Sequence, residues 1–293
     1  MTMFAGALTA LVTPFREGRL DCEALQQLVE TQIQGGINGL VPCGTTGESV
    51  NLNEHEYREV VETVVKQARG RVPIIAGAGT NSTRHTIELG RAAREAGADG
   101  LLLVAPYYNK PTQQGLYEHF KAVLAEVPLP SVIYNIPGRT CVDISRETFG
   151  RLAEIEQVVA VKEATGNVLR SQALALTFGD RFTILSGDDA LTLAIMAVGG
   201  HGVISVTANL FPKQVSDVVR RFREGDLSGA QAAHQQLLPV HEAMFVETNP
   251  GPIKAAVAAR GLIAPEIRLP LVMPSEKSQA AIGEALRKAG LDR

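Results

Sequence analysis

The chain has too little cysteine for a disulfide framework. Cys22, Cys43 and Cys141 are odd in number, far apart and form no CxxC pair, which excludes a small disulfide-stapled scaffold. A run of about 18 apolar residues, the length a membrane-spanning helix needs, is also absent. The apolar stretch MTMFAGALTALVTPF at the start lacks a basic leading region and meets Pro14 early. It reads as a strand, not a signal peptide. No block of single-sign charge occurs, and the net charge is −3 over 293 residues. That balance argues against nucleic acid and against a polybasic membrane segment as partners. Metal-ligand spacing is missing too. His55-Glu56 has no histidine at 59 to complete an HExxH pair, and the six histidines are scattered. These absences leave a reduced, soluble, cytoplasmic protein without a metal site as the expectation.

A regular beat runs through the sequence. Short apolar runs occur at 6–14, 39–44, 72–79, 100–106, 131–137, 158–164, 182–188 and 202–209. Their apolar positions are continuous, as in parallel strands covered on both faces. Amphipathic stretches lie between them. EALQQLVETQIQ (23–34) sets Leu25, Leu28, Val29 and Ile33 on one stripe. The stretch 53–70 opens on Asn53 and Glu56, spaced as a capping box, and ends on Gly70. Further helices are expected at 82–100, 113–126, 145–155, 168–179, 190–198 and 212–224. Eight strand–helix repeats predict an α/β fold, a (β/α)8 TIM barrel, with a doubly wound open sheet as the alternative. After FREGD (222–226) the beat stops, and helices are expected at 227–246, 250–260 and 275–289. The predicted organisation is a catalytic barrel over 1–225 and a C-terminal helical extension over 226–293.

In such a barrel chemistry gathers at the C-terminal ends of the strands. Lys162 is the sharpest candidate there, at the end of the apolar run VVAV. Burial disfavours a charged amine and lowers its pKa, and a neutral amine condenses with a carbonyl to a Schiff base. The competing reading buries only the stem and pairs the head with water or Glu163. Tyr134 ends the preceding strand. Its hydroxyl could relay protons with Thr45 and Thr46, or could be an ordinary half-buried aromatic. The glycine-rich GTTGES, after the second strand, offers backbone N–H groups to an anion such as a carboxylate. It lacks the lysine of a P-loop. Arg139 in IPGRT suits a carboxylate, or a surface ion pair. Asp188-Asp189 reads as a cation site or, more simply, as loop and helix-start residues.

Taken together, GTTGES (44–49), PYYNKP (106–111), YNIPGRT (134–140), VKEATGN (161–167), SGDD (186–189) and GGHGVISVTAN (199–209) resemble the dihydrodipicolinate synthase family, in order and spacing, over the whole chain. The wider superfamily holds N-acetylneuraminate lyase and other pyruvate-dependent class I aldolases. Thr45-Thr46 and Arg139 favour the synthase branch over an aldolase of keto-sugar acids, and the complete residue set argues against a non-catalytic keto-acid binder. The resemblance implies condensation of pyruvate with L-aspartate 4-semialdehyde on the route to lysine and diaminopimelate, with no cofactor. Lys162 would form the Schiff base. Tyr134 would relay protons with Thr45 and with Tyr108, the latter from a neighbouring subunit. Backbone groups of Thr45 and Thr46 would take the pyruvate carboxylate, Arg139 that of the second substrate, and Gly187 and Ile204 would line the pocket. A homotetramer, a dimer of dimers, is implied. So is a candidate allosteric lysine site at Ser49, Val50, Glu54, Tyr57, Asn81, His85 and Tyr107. Feedback-sensitive members typically carry histidine where Glu54 stands and glutamate where His85 stands, so weak or absent lysine inhibition is expected.

Overall fold

The computed structural model describes residues 4–291. The ends of the two expected segments, 1–3 and 292–293, lie outside the described residues. All eight predicted apolar runs contain a strand: β1 Gly6–Ala10, β2 Gly39–Val41, β3 Ile75–Gly77, β4 Gly100–Val104, β5 Ser131–Asn135, β6 Val158–Glu163, β7 Thr183–Ser186 and β8 Gly202–Ser205. They pair in parallel in the order β2-β1-β8-β7-β6-β5-β4-β3. The seam between β2 and β3 is closed by a single parallel bridge, Leu40 to Ile74, and by Gly77 N donating to Pro42 O at 2.9 Å. A side chain at Gly77 would collide with the Cys43 carbonyl; glycine is what lets the two backbones meet there. The chain is therefore a TIM barrel, and the open-sheet alternative is set aside. The strands are shorter than the apolar runs, because the last residues of each run leave the ladder and enter the loops of the upper face.

Two local elements were not legible in the sequence. Phe15–Arg16 and Arg19–Leu20 form a short antiparallel pair, and Pro137–Thr140 forms one helical turn in what reads as loop. The longer helices begin where capping chemistry says they should. Asn53 accepts from Glu56 N at 3.0 Å while the Glu56 carboxylate accepts from Asn53 N at 3.1 Å, so the capping box is formed. That helix runs Glu54–Ala68 and stops as Arg69 and Gly70 turn to positive φ.

Strand periodicity sorts the buried residues into two layers. Inward-facing side chains, among them Leu8, Val41, Leu102, Val132, Ala160, Leu185 and Ile204, fill the barrel. The outward set packs against the helices in a larger cluster. The tail forms the helices Leu227–Ala243, Gly251–Ala259 and Glu276–Lys288. Its Leu237, Val240, Met244, Ile253, Val257 and Ile282 belong to that same outer cluster, so the tail and the barrel share one apolar core.

Candidate active site

The β5–β6 register fixes where Lys162 points. Val132 faces Ala160 and Tyr134 faces Lys162. Val132, Ala160 and Tyr134 are all interior residues, so the period of two carries Lys162 onto the barrel axis. Glu163, one residue on, faces outward. Its carboxylate accepts from Thr165 N at 2.8 Å, from Arg170 Nε at 3.2 Å and from Asn135 Nδ2 at 3.3 Å. The pairing of Lys162 with Glu163 is thereby overturned: one residue of strand separates them by a whole sheet face.

Lys162 is 5 % exposed, and among the described residues its Nζ makes no hydrogen bond and no ion pair. It lies 4.3 Å from the centroid of the Tyr134 ring. Burial pushes its ammonium down to about 8; the Asp189 carboxylate opposes this and the Arg139 guanidinium adds to it. Gly187 gives the side chain room. A Cβ there would sit 2.6 Å from Ala164 Cβ and 3.1 Å from Lys162 Cε. Burial also pushes the Tyr134 phenol well above its usual range, with Arg139 opposing. Tyr134 therefore keeps its proton at neutral pH and can shuttle it only by giving and taking in turn.

The GTTGES loop answers a backbone question. The N–H groups of Gly47, Glu48 and Ser49 are taken up inside the loop, by Gly44 O, Thr45 O and Gly44 O at 3.1–3.3 Å. Those of Thr45 and Thr46 donate to no acceptor among the described residues, and both residues line the inner pocket. Two adjacent free N–H groups are what a carboxylate needs. Glu48 holds the loop from behind. It stands at φ 53°, in the left-handed region, and its buried carboxylate accepts from Lys254 Nζ at 2.6 Å and from Arg268 N at 3.0 Å.

An inner pocket of about 40 Å³ reaches Lys162, and an outer cavity of about 300 Å³ lies above it. Both are lined by Thr45, Tyr134, Arg139 and Asn249. Arg139 makes no ion pair among the described residues, and its Nη2 donates to Asn249 O at 3.1 Å. Its surface ion-pair reading thus finds no acid. Gly187 lines the inner pocket. Ile204 is fully buried in the interior layer of the barrel, below the lining residues. Tyr108 is 87 % exposed at φ 72° and does not line this chain's cavity. Asp188 and Asp189 act as caps and loop anchors. Asp188 accepts from Ala190 N at 3.0 Å, and Asp189 accepts from the Ser205 hydroxyl and from Val206 N at 2.8 Å.

The candidate allosteric residues divide. Ser49, Val50 and Tyr107 line the outer cavity. Glu54 and His85 lie together with Glu88, with ligand atoms within 4.8 Å of one another. The Asn81 carbonyl accepts from Asn109 Nδ2 at 2.8 Å. Tyr57 is 1 % exposed in the core, its hydroxyl without a hydrogen-bond partner among the described residues. Sequence reasoning missed two residues altogether, Asn249 and Lys254. Lys254 carried the same signal as Lys162, a lysine inside an apolar stretch (PIKAAVAA); Asn249, in the connector TNPG, carried none.

Comparison with known proteins gives one consistent result. Residues 3–289 match the model of the dihydrodipicolinate synthetase family. The 4-hydroxy-tetrahydrodipicolinate synthase of Sorangium cellulosum is 57% identical, covering 97% of this chain and 95% of that one. The synthase of Nitratidesulfovibrio vulgaris is 52% identical over 98% and 99%. Among solved structures, the chloride-inhibited dihydrodipicolinate synthase of Acinetobacter baumannii, complexed with pyruvate, superposes with a TM-score of 0.96 at 44% identity, covering 99% of this chain and 100% of that one.

Proposed function

Because the chain belongs to the dihydrodipicolinate synthetase family, we propose that the buried amine of Lys162 is the nucleophile of a pyruvate-dependent condensation. The chain is a 4-hydroxy-tetrahydrodipicolinate synthase, a lyase of the class I aldolase type, in lysine biosynthesis. Lys162 Nζ adds to the ketone of pyruvate, water leaves, and an imine forms. The imine loses a methyl proton to become an enamine, whose carbon attacks the aldehyde of L-aspartate 4-semialdehyde. The new alkoxide takes up a proton. The amino group of the second substrate then adds to the imine carbon and displaces Lys162, closing the ring.

Family membership suggests the remaining roles, and position supports several of them. The free N–H groups of Thr45 and Thr46 take the pyruvate carboxylate, with Gly187 bounding its site and Ile204 in the interior layer beneath. Tyr134, protonated and against Lys162, passes the protons with Thr45. Arg139, free of any acid, takes the carboxylate of the second substrate. Tyr108 completes the relay in a neighbouring copy, within a cytoplasmic homotetramer built as a dimer of dimers. Its own exposure supports this, as do Leu169 and Leu176, 73 % and 88 % exposed and seven apart on one helix. Sedimentation velocity checks the assembly, and a single-copy species would remove this role of Tyr108.

The observation that carries the reading is the buried amine with no hydrogen bond and no ion pair among the described residues. Its lowered pKa sets a pH profile. At pH 7 about one-tenth of Lys162 is neutral, against less than one part in about a thousand for an ordinary lysine. The rate of Schiff-base formation with pyruvate, followed by stopped flow, should rise with pH, reach half its maximum near pH 8 and level above it. A rate still climbing steeply through pH 10 contradicts the role.

Lysine inhibition should be weak or absent. The expected histidine and glutamate stand in exchanged order at Glu54 and His85, and Glu88 adds a carboxylate beside them. Activity across a lysine titration reads this, and strong inhibition at sub-millimolar lysine overturns it.

A further inference from the structure

The loop before the helix Gly251–Ala259 reaches into the site through one residue. Asn249 is 4 % exposed and lines both the inner pocket and the outer cavity. Its Nδ2 donates to Thr46 Oγ1 at 3.0 Å across 203 residues of sequence. No other hydrogen bond to that hydroxyl is made among the described residues. Its backbone carbonyl accepts from Arg139 Nη2 at 3.1 Å. The one oxygen of the side chain, Oδ1, is buried without a hydrogen-bond partner among the described residues. A polar side chain kept buried at the cost of an unsatisfied oxygen calls for a reason.

We infer that Asn249 is a positioning residue for pyruvate binding: it holds the Thr46 hydroxyl, and through it the free N–H pair of Thr45 and Thr46, in the orientation that receives the carboxylate. The inference rests on the reading of Lys162 and GTTGES given above. The physical argument is local. Thr46 sits in a loop whose next three N–H groups are bonded internally, while its own is free. Without the Asn249 amide, the Thr46 hydroxyl would lose its one hydrogen bond among the described residues, and with it the tie between the Thr46 side chain and the tail. Preorganisation of such donors is what their binding strength depends on. The role differs from that of the neighbouring Lys254, whose amine grips Glu48 behind the loop.

The test follows borohydride-trapped adduct on Lys162 against pyruvate concentration, with no second substrate present. Asn249→Ala should raise the half-saturating pyruvate roughly tenfold, the weight of one hydrogen bond. The extent trapped at saturation should not change, because Lys162 is untouched. The KM for L-aspartate 4-semialdehyde should move by less than about threefold, because the carbonyl that holds Arg139 survives the substitution. Thr46→Val should have the same effect on pyruvate, and Thr46→Val with Asn249→Ala should be no worse than either alone, since both remove one interaction. If the alanine variant does not fold, Asn249→Ser, which keeps a polar group without its reach, takes its place in the cycle. A melting temperature that falls while half-saturation holds, or effects that multiply in the double variant, overturns the inference. Wild-type protein that traps no pyruvate on Lys162 fails the functional reading instead.

Discussion

Lys162→Met is expected to abolish condensation, lowering kcat on the order of 10⁴- to 10⁶-fold, as when a nucleophile that works as part of a unit is removed. It should do so without harming the fold. The wild-type amine is buried, has no hydrogen bond or ion pair among the described residues, and has its pKa pushed down to about 8. In the unfolded chain the same group titrates at the ordinary lysine value. Below pH 8 both states carry the proton, and the folded state bears the whole cost of burying it, about 3 kcal/mol. That cost shrinks as pH rises from 8 and is gone above the unfolded value. Methionine has a similar length and no charge. Lys162→Met should therefore be as stable as wild type or more stable at pH 7, by up to about 3 kcal/mol, and indistinguishable near pH 11. Chemical denaturation at the two pH values, beside a turnover assay, checks both halves. A variant that is inactive because it is unfolded would contradict them.

The same substitution at Lys254 should act in the opposite direction. Its side chain is fully buried, with Nζ 2.6 Å from Glu48 Oε1 and 3.0 Å from Thr13 O. Nζ also lies 4.5 Å from the centroid of the Phe15 ring. Burial pulls its ammonium below the usual lysine range, and the Glu48 carboxylate opposes that. Lys254→Met leaves Glu48 buried with only the Arg268 N–H to answer it. Breaking a buried pair from one side costs about 3–5 kcal/mol. Lys254→Met should lose that much stability in denaturant titration, whereas Glu48→Gln with Lys254→Met should recover much of it, since no unpaired charge remains. The double variant should still bind pyruvate more weakly, because Glu48 stands at a positive φ in the GTTGES loop and its partners help to hold it there. Stability unchanged in the single variant would mean that the pair contributes nothing.

The contrast between these two lysines shows what the sequence could and could not carry. Periodicity alone placed eight strands, because a parallel strand buried on both faces is a local apolar run. It placed Lys162 at a strand end, where the fold gathers its chemistry. It could not say which way Lys162 and Glu163 faced, since that depends on the pairing of β5 with β6. The short helix Pro137–Thr140 was missed because four residues offer no period to read. Lys254 stands in as apolar a setting as Lys162, yet its amine meets a carboxylate 206 residues away. No spacing rule brings those two together; only closure of the barrel and docking of the tail do. The same holds for Asn249, whose partners Thr46 and Arg139 belong to the GTTGES loop and to the short helix Pro137–Thr140. Thr45, Tyr134 and Arg139 could be read as candidates because Tyr134 stands near the end of a strand and Thr45 and Arg139 follow one; the loop order around the barrel does the rest.

Two buried lysines with lowered pKa values make the central claim sharply testable. Incubation with pyruvate and borohydride, followed by proteolysis and mass spectrometry, should place a single reduced pyruvate adduct on Lys162. Lys254 should stay unmodified, because Glu48 holds its amine and it lines neither pocket. An adduct on Lys254 or any other lysine, or none at all, would contradict the account.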